Sequence, residues 1–200
     1  VLVAKQATDV DLLSGGRLRL GVGTGWNYVE YDALGQDFAV RGPRLTEQIG
    51  YLRRLWSEPL VTFDGRFDSL DRACIIPRPK RQIPIWCGGF TDTSFKRAAV
   101  HADGYIFAAS IDNALWGWER MRQLLAEQGR SVAGFGAVAT VAVAARGPGG
   151  RGRVDHGGVP VLHQLPIAHA EAVEGEPLVE VAGRQRRILR EHLVHDRHDV

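Results

Sequence analysis

The chain has 200 residues, 44% hydrophobic and 24% charged, enough for one sizeable buried core in a soluble protein. Its 25 basic and 23 acidic side chains leave a net charge of +2, too small to require nucleic acid or an anionic membrane as partner. Cys74 and Cys87 stand apart, which excludes a C-x-x-C zinc or redox motif, and no apolar run approaches the roughly 20 residues of a membrane span. Two lone cysteines and no charged-then-apolar leader lead to the expectation of a cytoplasmic protein.

Taken in chain order, residues 2–13 carry Val3, Ala7, Val10 and Leu13 at roughly helical spacing, and Gly15-Gly16 ends that helix. In RLRLGV, Leu18, Leu20 and Val22 alternate with Arg17, Arg19 and Gly21, the two-residue period of a strand. The next helix begins at Arg41, with Leu45, Ile49, Leu52 and Leu55 or Trp56 on one face, Pro43 in its first turn and Pro59 beyond its end. Asp64-Gly65, between two β-rich runs, predicts a hairpin that leaves the main sheet.

The run IPIWCGGF reads as a short strand buried on both faces, and Thr91 or Asp92 can cap a helix containing Phe95, Ala98 and Ala99. DGYIFAAS is a second buried strand, followed by a helix from about Asn113, and GFGAVATVAVAA supplies a last strand. Such alternation predicts an α/β fold with parallel strands, either doubly wound or a (β/α) barrel.

Composition breaks near Ala145. All sixteen aromatic residues lie between Trp26 and Phe135, whereas six of the seven histidines lie at or beyond His156. Residues 1–145 are read as the folded domain. The remaining 146–200 are read as a divergent, poorly ordered tail, since a segment without aromatics has less apolar area to offset its ordering entropy. A flexible appendage, a small module and a stretch translated in a shifted frame remain open for it. RQRRILREHLV is its one helical pattern.

Two glycine clusters follow predicted strands. Gly21, Gly23 and Gly25 give G-x-G-x-G, but Trp26 replaces the third glycine of a dinucleotide fingerprint, and the expected helix starts only at Arg41, so no helix N-terminus faces that turn. Gly88-Gly89, followed by Phe90 and Thr91, lies between a buried strand and a helix, where free N–H groups can receive a phosphate. Asp92 would repel the anion unless its side chain turns back as a cap.

Three separated stretches carry a family resemblance: SGGRLRLGVGTGWNYVEYDALG, RGPRLTEQIGYLRRLWSEPLVTFDGRFDSLD and PRPKRQIPIWCGGFTDTSFKRAAVHADGYI. Collinear over about residues 1–143, they resemble the bacterial luciferase-like flavin and deazaflavin oxidoreductases, most of all the actinobacterial deazaflavin-dependent branch. The resemblance implies a partial TIM (β/α)8 barrel with a short β insertion and a cofactor at the C-terminal ends of its strands. It implies coenzyme F420, a deazaflavin, or alternatively FMN. The cofactor phosphate is then expected on the backbone of Gly88, Gly89, Phe90 and Thr91, with Trp26 and Asn27 lining the cofactor and substrate pocket.

The implied reaction is hydride transfer between the deazaflavin and a small organic substrate. The rivals are an FMN-dependent monooxygenase of the same family and a non-catalytic scaffold or subunit partner. A sugar-phosphate dehydrogenase is disfavoured, because Trp26 occupies the place of that branch's catalytic glutamate. Val1 falls in what corresponds to the family's third helix, so the first three strands, which carry residues facing the reactive ring, are expected to be missing. No catalytic acid or base is assigned, turnover by this chain alone is expected to be poor, and a homo-oligomer would cover its open edges.

Other residues attract weaker readings. His192, His195 and His198 are spaced H-x-x-H-x-x-H, but steps of three drift around a helix, so no metal site is assigned. His101 is read as a helix-end residue completing backbone carbonyls, and Trp56, Trp116 and Trp118 as core or interface side chains. Cys87 lacks a sequence-near histidine or lysine to activate it.

Overall fold

The computed structural model describes residues 1–143 and 161–166. The chain divides into two compact units, one of Val1–Ile106 with Arg120–Gly136, the other of Phe107–Glu119 with the described residues from Ala137 onward. The elements run α1 (Leu2–Leu13), β1 (Leu20–Val22), α2 (Tyr28–Ala33), a 3-10 turn (Phe38–Val40), α3 (Arg41–Ser57), β2 (Val61–Asp64), β3 (Ser69–Ala73), β4 (Ile85–Gly88), α4 (Asp92–His101), β5 (Gly104–Phe107), α5 (Ile111–Glu127), β6 (Gly136–Val143) and β7 (Val161–Pro166).

In the first unit β1, β4 and β5 are parallel, with Leu20 opposite Ile85, Trp86 opposite Gly104 and Cys87 opposite Tyr105. Period-two alternation divides their side chains between two faces. Ile85, Cys87 and Tyr105 lie in the core, beside Ile49, Leu55, Phe95 and Ala98 of α3 and α4. The other face holds Trp86 among glycines. A Cβ on Gly104 would come within 2.5 Å of the Trp86 ring, one on Gly136 would also overlap that ring, and Arg19 lies over it at 4.7 Å. Those glycines are required for close approach rather than for turning.

Buried polar groups tie the helices to this sheet. Asp11, at the end of α1, is almost wholly buried and accepts from Arg81 Nη2 at 2.6 Å and from the Leu18 N–H at 3.2 Å. Arg81 also donates to the Leu18 carbonyl, joining the approaches to β1 and β4. Trp56 Nε1 donates to the Ala4 carbonyl, linking α3 to α1. Arg53 on α3 pairs with Asp103 at 2.9 Å, and the same carboxylate oxygen accepts from the Ile85 N–H.

The hairpin β2–β3 is antiparallel, as the Asp64-Gly65 signal predicts. Glu47 of α3 secures its turn by accepting from the N–H groups of Arg66, Phe67 and Asp68. Burial raises the Glu47 pKa, but those three donors outweigh it and the net direction is down. The stripe expected on α3 is also present, with Ile49, Leu52, Leu55 and Trp56 buried.

Three local readings need correction. The segment after β1 contains α2, and Asn27 is its N-cap, accepting from the Val29 N–H; a helix therefore starts well before Arg41. The carbonyls at the end of α4 are met by Arg130, which donates to Ala99 and Ala102, and by Arg53, which donates to His101, so the His101 ring does not have that task. Trp116 is 65% exposed rather than core.

In the second unit, β6 and β7 pair antiparallel, from Val138 opposite Pro166 to Val143 opposite Val161. A strand inside the tail was not legible from composition. The boundary near Ala145 and the helical pattern at residues 184–194 lie outside the described residues.

Gly104→Ala and Gly136→Ala should each destabilise the protein by about 1–3 kcal/mol through overpacking against Trp86. Gly50→Ala on the exposed face of α3, where a Cβ meets nothing within 4 Å, should stabilise by about 0.5–1 kcal/mol. Denaturant melts of the three variants check both signs. Arg81→Met, which strips the buried Asp11 of its cation, should cost about 3 kcal/mol. Lys5→Met, at the exposed Lys5–Asp9 pair, should cost about 0.5 kcal/mol.

Candidate cofactor-binding loop

The turn between β4 and α4 is shaped by one glycine. Gly89 has φ +149°, a backbone region that L side chains rarely adopt. A Cβ there would also lie 2.8 Å from Ser94 Oγ and 3.4 Å from the Tyr105 hydroxyl. The main chain therefore folds against the first turn of α4 only because residue 89 has no side chain.

Thr91 caps α4. Its Oγ1 accepts from the Ser94 N–H at 3.2 Å, while Ser94 Oγ accepts from the Thr91 N–H at 3.3 Å, a reciprocal capping box. A helix start leaves its first N–H groups without intrahelical acceptors. The box takes those of Thr91 and Ser94, and among the described residues the Asp92 and Thr93 N–H groups have no acceptor.

The charge of Asp92 is met by two cations. Arg120 Nε and Lys96 Nζ each lie 2.8 Å from its carboxylate. Their hydrogen bonds, Arg120 first, hold its pKa down at about 2 against an ordinary value of 3.8. The repulsion an anion would meet at this helix start is therefore offset by Lys96 of α4 and Arg120 of α5.

The structure brings Gly88, Gly89, Phe90 and Thr91 together as one turn, with the Phe90 side chain 69% exposed. The end of β1 lies beside it, since a Cβ on Gly23 would be 3.8 Å from the Gly88 carbonyl oxygen. Trp26 is 86% exposed, and Asn27 uses its side chain on the Val29 N–H and on Glu30, so Asn27 shapes the loop that presents Trp26. Tyr31 braces this segment by donating to the Thr24 carbonyl at 2.5 Å.

Two other candidates are chemically quiet. Burial pushes the Cys87 thiol up to about 11, so it stays protonated near neutral pH. His101 is lowered by burial and by Arg53, Arg97 and Arg130, and it sits at the far end of α4 from the glycine turn. Among the described residues no His, Cys, Asp and Glu group could hold a metal, and no helix is long and apolar enough to cross a membrane. The histidines at 192–198 lie outside the described residues.

Sequence reasoning missed Ser94, Tyr105 and Arg120. The T-x-x-S spacing at residues 91–94 could have disclosed the capping box. No local signal joins Arg120 to Asp92, 28 residues away, because that pair exists only once α5 has packed.

Residues 1–148 match the family model described as luciferase-like monooxygenase, and the chain belongs to that family. It is 36% identical over 107 residues to a pyrimidine monooxygenase, RutA, of Pantoea ananatis, covering 51% of this chain and 30% of that protein. An uncharacterized protein of Mycobacterium tuberculosis is 40% identical over 105 residues, covering 52% of this chain and 36% of the relative. The matched region is about a third of either relative's length. Among solved structures, an F420-dependent secondary alcohol dehydrogenase in complex with an F420-acetone adduct superposes with a TM-score of 0.60 at 24% identity. That match covers 68% of this chain and 43% of that one, and it gives the fold: α/β with a parallel sheet, like its luciferase-like TIM-barrel neighbours.

Asp92 has a folded-state pKa below its unfolded value, so its contribution is present above about pH 4 and lost as pH falls through about 2. In Asp92→Asn that acid-side loss should disappear, which melting temperatures between pH 5 and pH 2 would register.

Proposed function

We propose that this chain is the cofactor-phosphate-binding part of an oxidoreductase, which transfers hydride between the deazaflavin coenzyme F420 and a small organic substrate. The observation that carries this reading is the Gly88–Thr91 turn. Gly89 lets the backbone fold tightly onto Ser94 at the start of α4, the Asp92 and Thr93 N–H groups there lie outside the capping box, and the carboxylate of Asp92 is paired with Lys96 and Arg120. A phosphate accepts from such N–H groups and is favoured by the positive end of the helix dipole.

Bound there, the deazaflavin would supply the hydride chemistry. The chain's part is to anchor, orient and exclude water. Gly89 lets the turn fold against Ser94 and Tyr105, and the Thr91–Ser94 capping box holds the helix start in one geometry. Trp26, held out by α2, is suited to cover an aromatic ring or an apolar substrate.

A second reading, FMN with a monooxygenase reaction, draws support from the relative named a pyrimidine monooxygenase. Both cofactors carry a phosphate, so the turn serves either. Titration of the 200-residue chain with F420 and with FMN, followed by cofactor fluorescence, separates them. We expect F420 to bind more tightly and Gly89→Ala to weaken it at least tenfold. Tighter FMN binding would favour the second reading, and binding of neither by the folded chain would overturn both.

A further inference from the structure

The glycine turn is held from beneath by a side-chain relay that belongs to the core. Tyr105 is fully buried on β5, its ring 5.0 Å from that of Phe95, and its hydroxyl lies 2.7 Å from Ser94 Oγ. Ser94 is itself 93% buried, being 7% exposed. Its Oγ has three polar neighbours: the Thr91 N–H, the Thr91 carbonyl at 2.7 Å and the Tyr105 hydroxyl.

Either hydroxyl of the Ser94–Tyr105 pair can be the donor, since Ser94 carries one proton and can give it to Tyr105 or to the Thr91 carbonyl, which also accepts from the Ser94 and Phe95 N–H groups. The Thr91 N–H can only donate, and it donates into Ser94. In either direction the Tyr105 hydroxyl holds Ser94 Oγ in place. Burial keeps the phenol protonated, with its pKa pushed up to about 12. Gly89 rests on this pair, because the space a Cβ would need is taken by Ser94 Oγ and Cβ and, slightly farther off, by the Tyr105 hydroxyl.

We propose that Tyr105 and Ser94 are positioning residues for the phosphate end of the cofactor. They act through Thr91 and Gly89, fixing the rotamer of Ser94 so that the capping box stays closed and the turn stays folded against α4. Without the Tyr105 hydroxyl, Ser94 Oγ loses the buried partner that fixes its rotamer, and the turn loses its single geometry. The inference rests on the reading of residues 88–91 as a phosphate anchor.

The test compares affinities for two ligand pairs: FMN against riboflavin, which differ only in the phosphate, and F420 against its ribityl deazaflavin core, which lacks the phosphate and the tail beyond it. In the wild-type chain the phosphate-bearing member of at least one pair should bind more tightly. Tyr105→Phe and Ser94→Ala should each reduce that phosphate-dependent ratio about tenfold while leaving the phosphate-free affinity unchanged. The double variant should be no worse than Ser94→Ala alone, because both act through one hydroxyl.

Hydrogen exchange of the Thr91 and Ser94 amides supplies a readout independent of ligand. Both should exchange faster in Tyr105→Phe. Equal weakening of both members of a pair, additive losses in the double variant, or unchanged amide exchange would overturn the relay. A wild-type ratio of one would instead overturn the phosphate reading on which it rests.

Discussion

The indole of Trp86 fits into the sheet only because residues 104 and 136 have no side chains. This one steric constraint sets the faces of β4 and β5. With Trp86 on the glycine side, alternation sends Cys87 and its register partner Tyr105 into the core beneath α4. Tyr105 then meets Ser94, Ser94 closes the cap with Thr91, and Gly89 folds over both. The position of a surface turn is thus decided by which face of a buried strand can hold a tryptophan.

Electrostatics works at the same level of detail. Asp11, buried at the end of α1, has Arg81, and Asp103 has Arg53; each pair also engages backbone at the entry to a strand, so charge and register are set together. At α4 the two ends are treated differently. Lys96 and Arg120 balance Asp92 at the start, and Arg130 gathers carbonyls at the finish. The start is left with spare N–H groups and a neutralised carboxylate, which is the combination that an anion requires.

Most of the element order was legible in the sequence because burial imposes periodicity. The stripe of α3, the alternation into Gly21 and the Asp64-Gly65 hairpin all appear where pattern places them. The glycine turn was legible too, as residue types between a strand and a helix. What pattern could not supply was contact between distant segments. Arg120 with Asp92, Tyr105 with Ser94 and Arg130 with the end of α4 depend on packing, and α2 escaped because six residues without a buried side chain carry no stripe. β7 was hidden by a composition poor in aromatics.

The cofactor phosphate is proposed to sit on the backbone of residues 88–93. Amide chemical-shift mapping of the full chain on addition of F420 tests it most directly. The largest perturbations should fall on the Gly89, Phe90, Asp92 and Thr93 N–H groups, and they should be absent with the phosphate-free deazaflavin. Saturable binding that leaves these amides unmoved, or moves them equally with and without the phosphate, would contradict the claim.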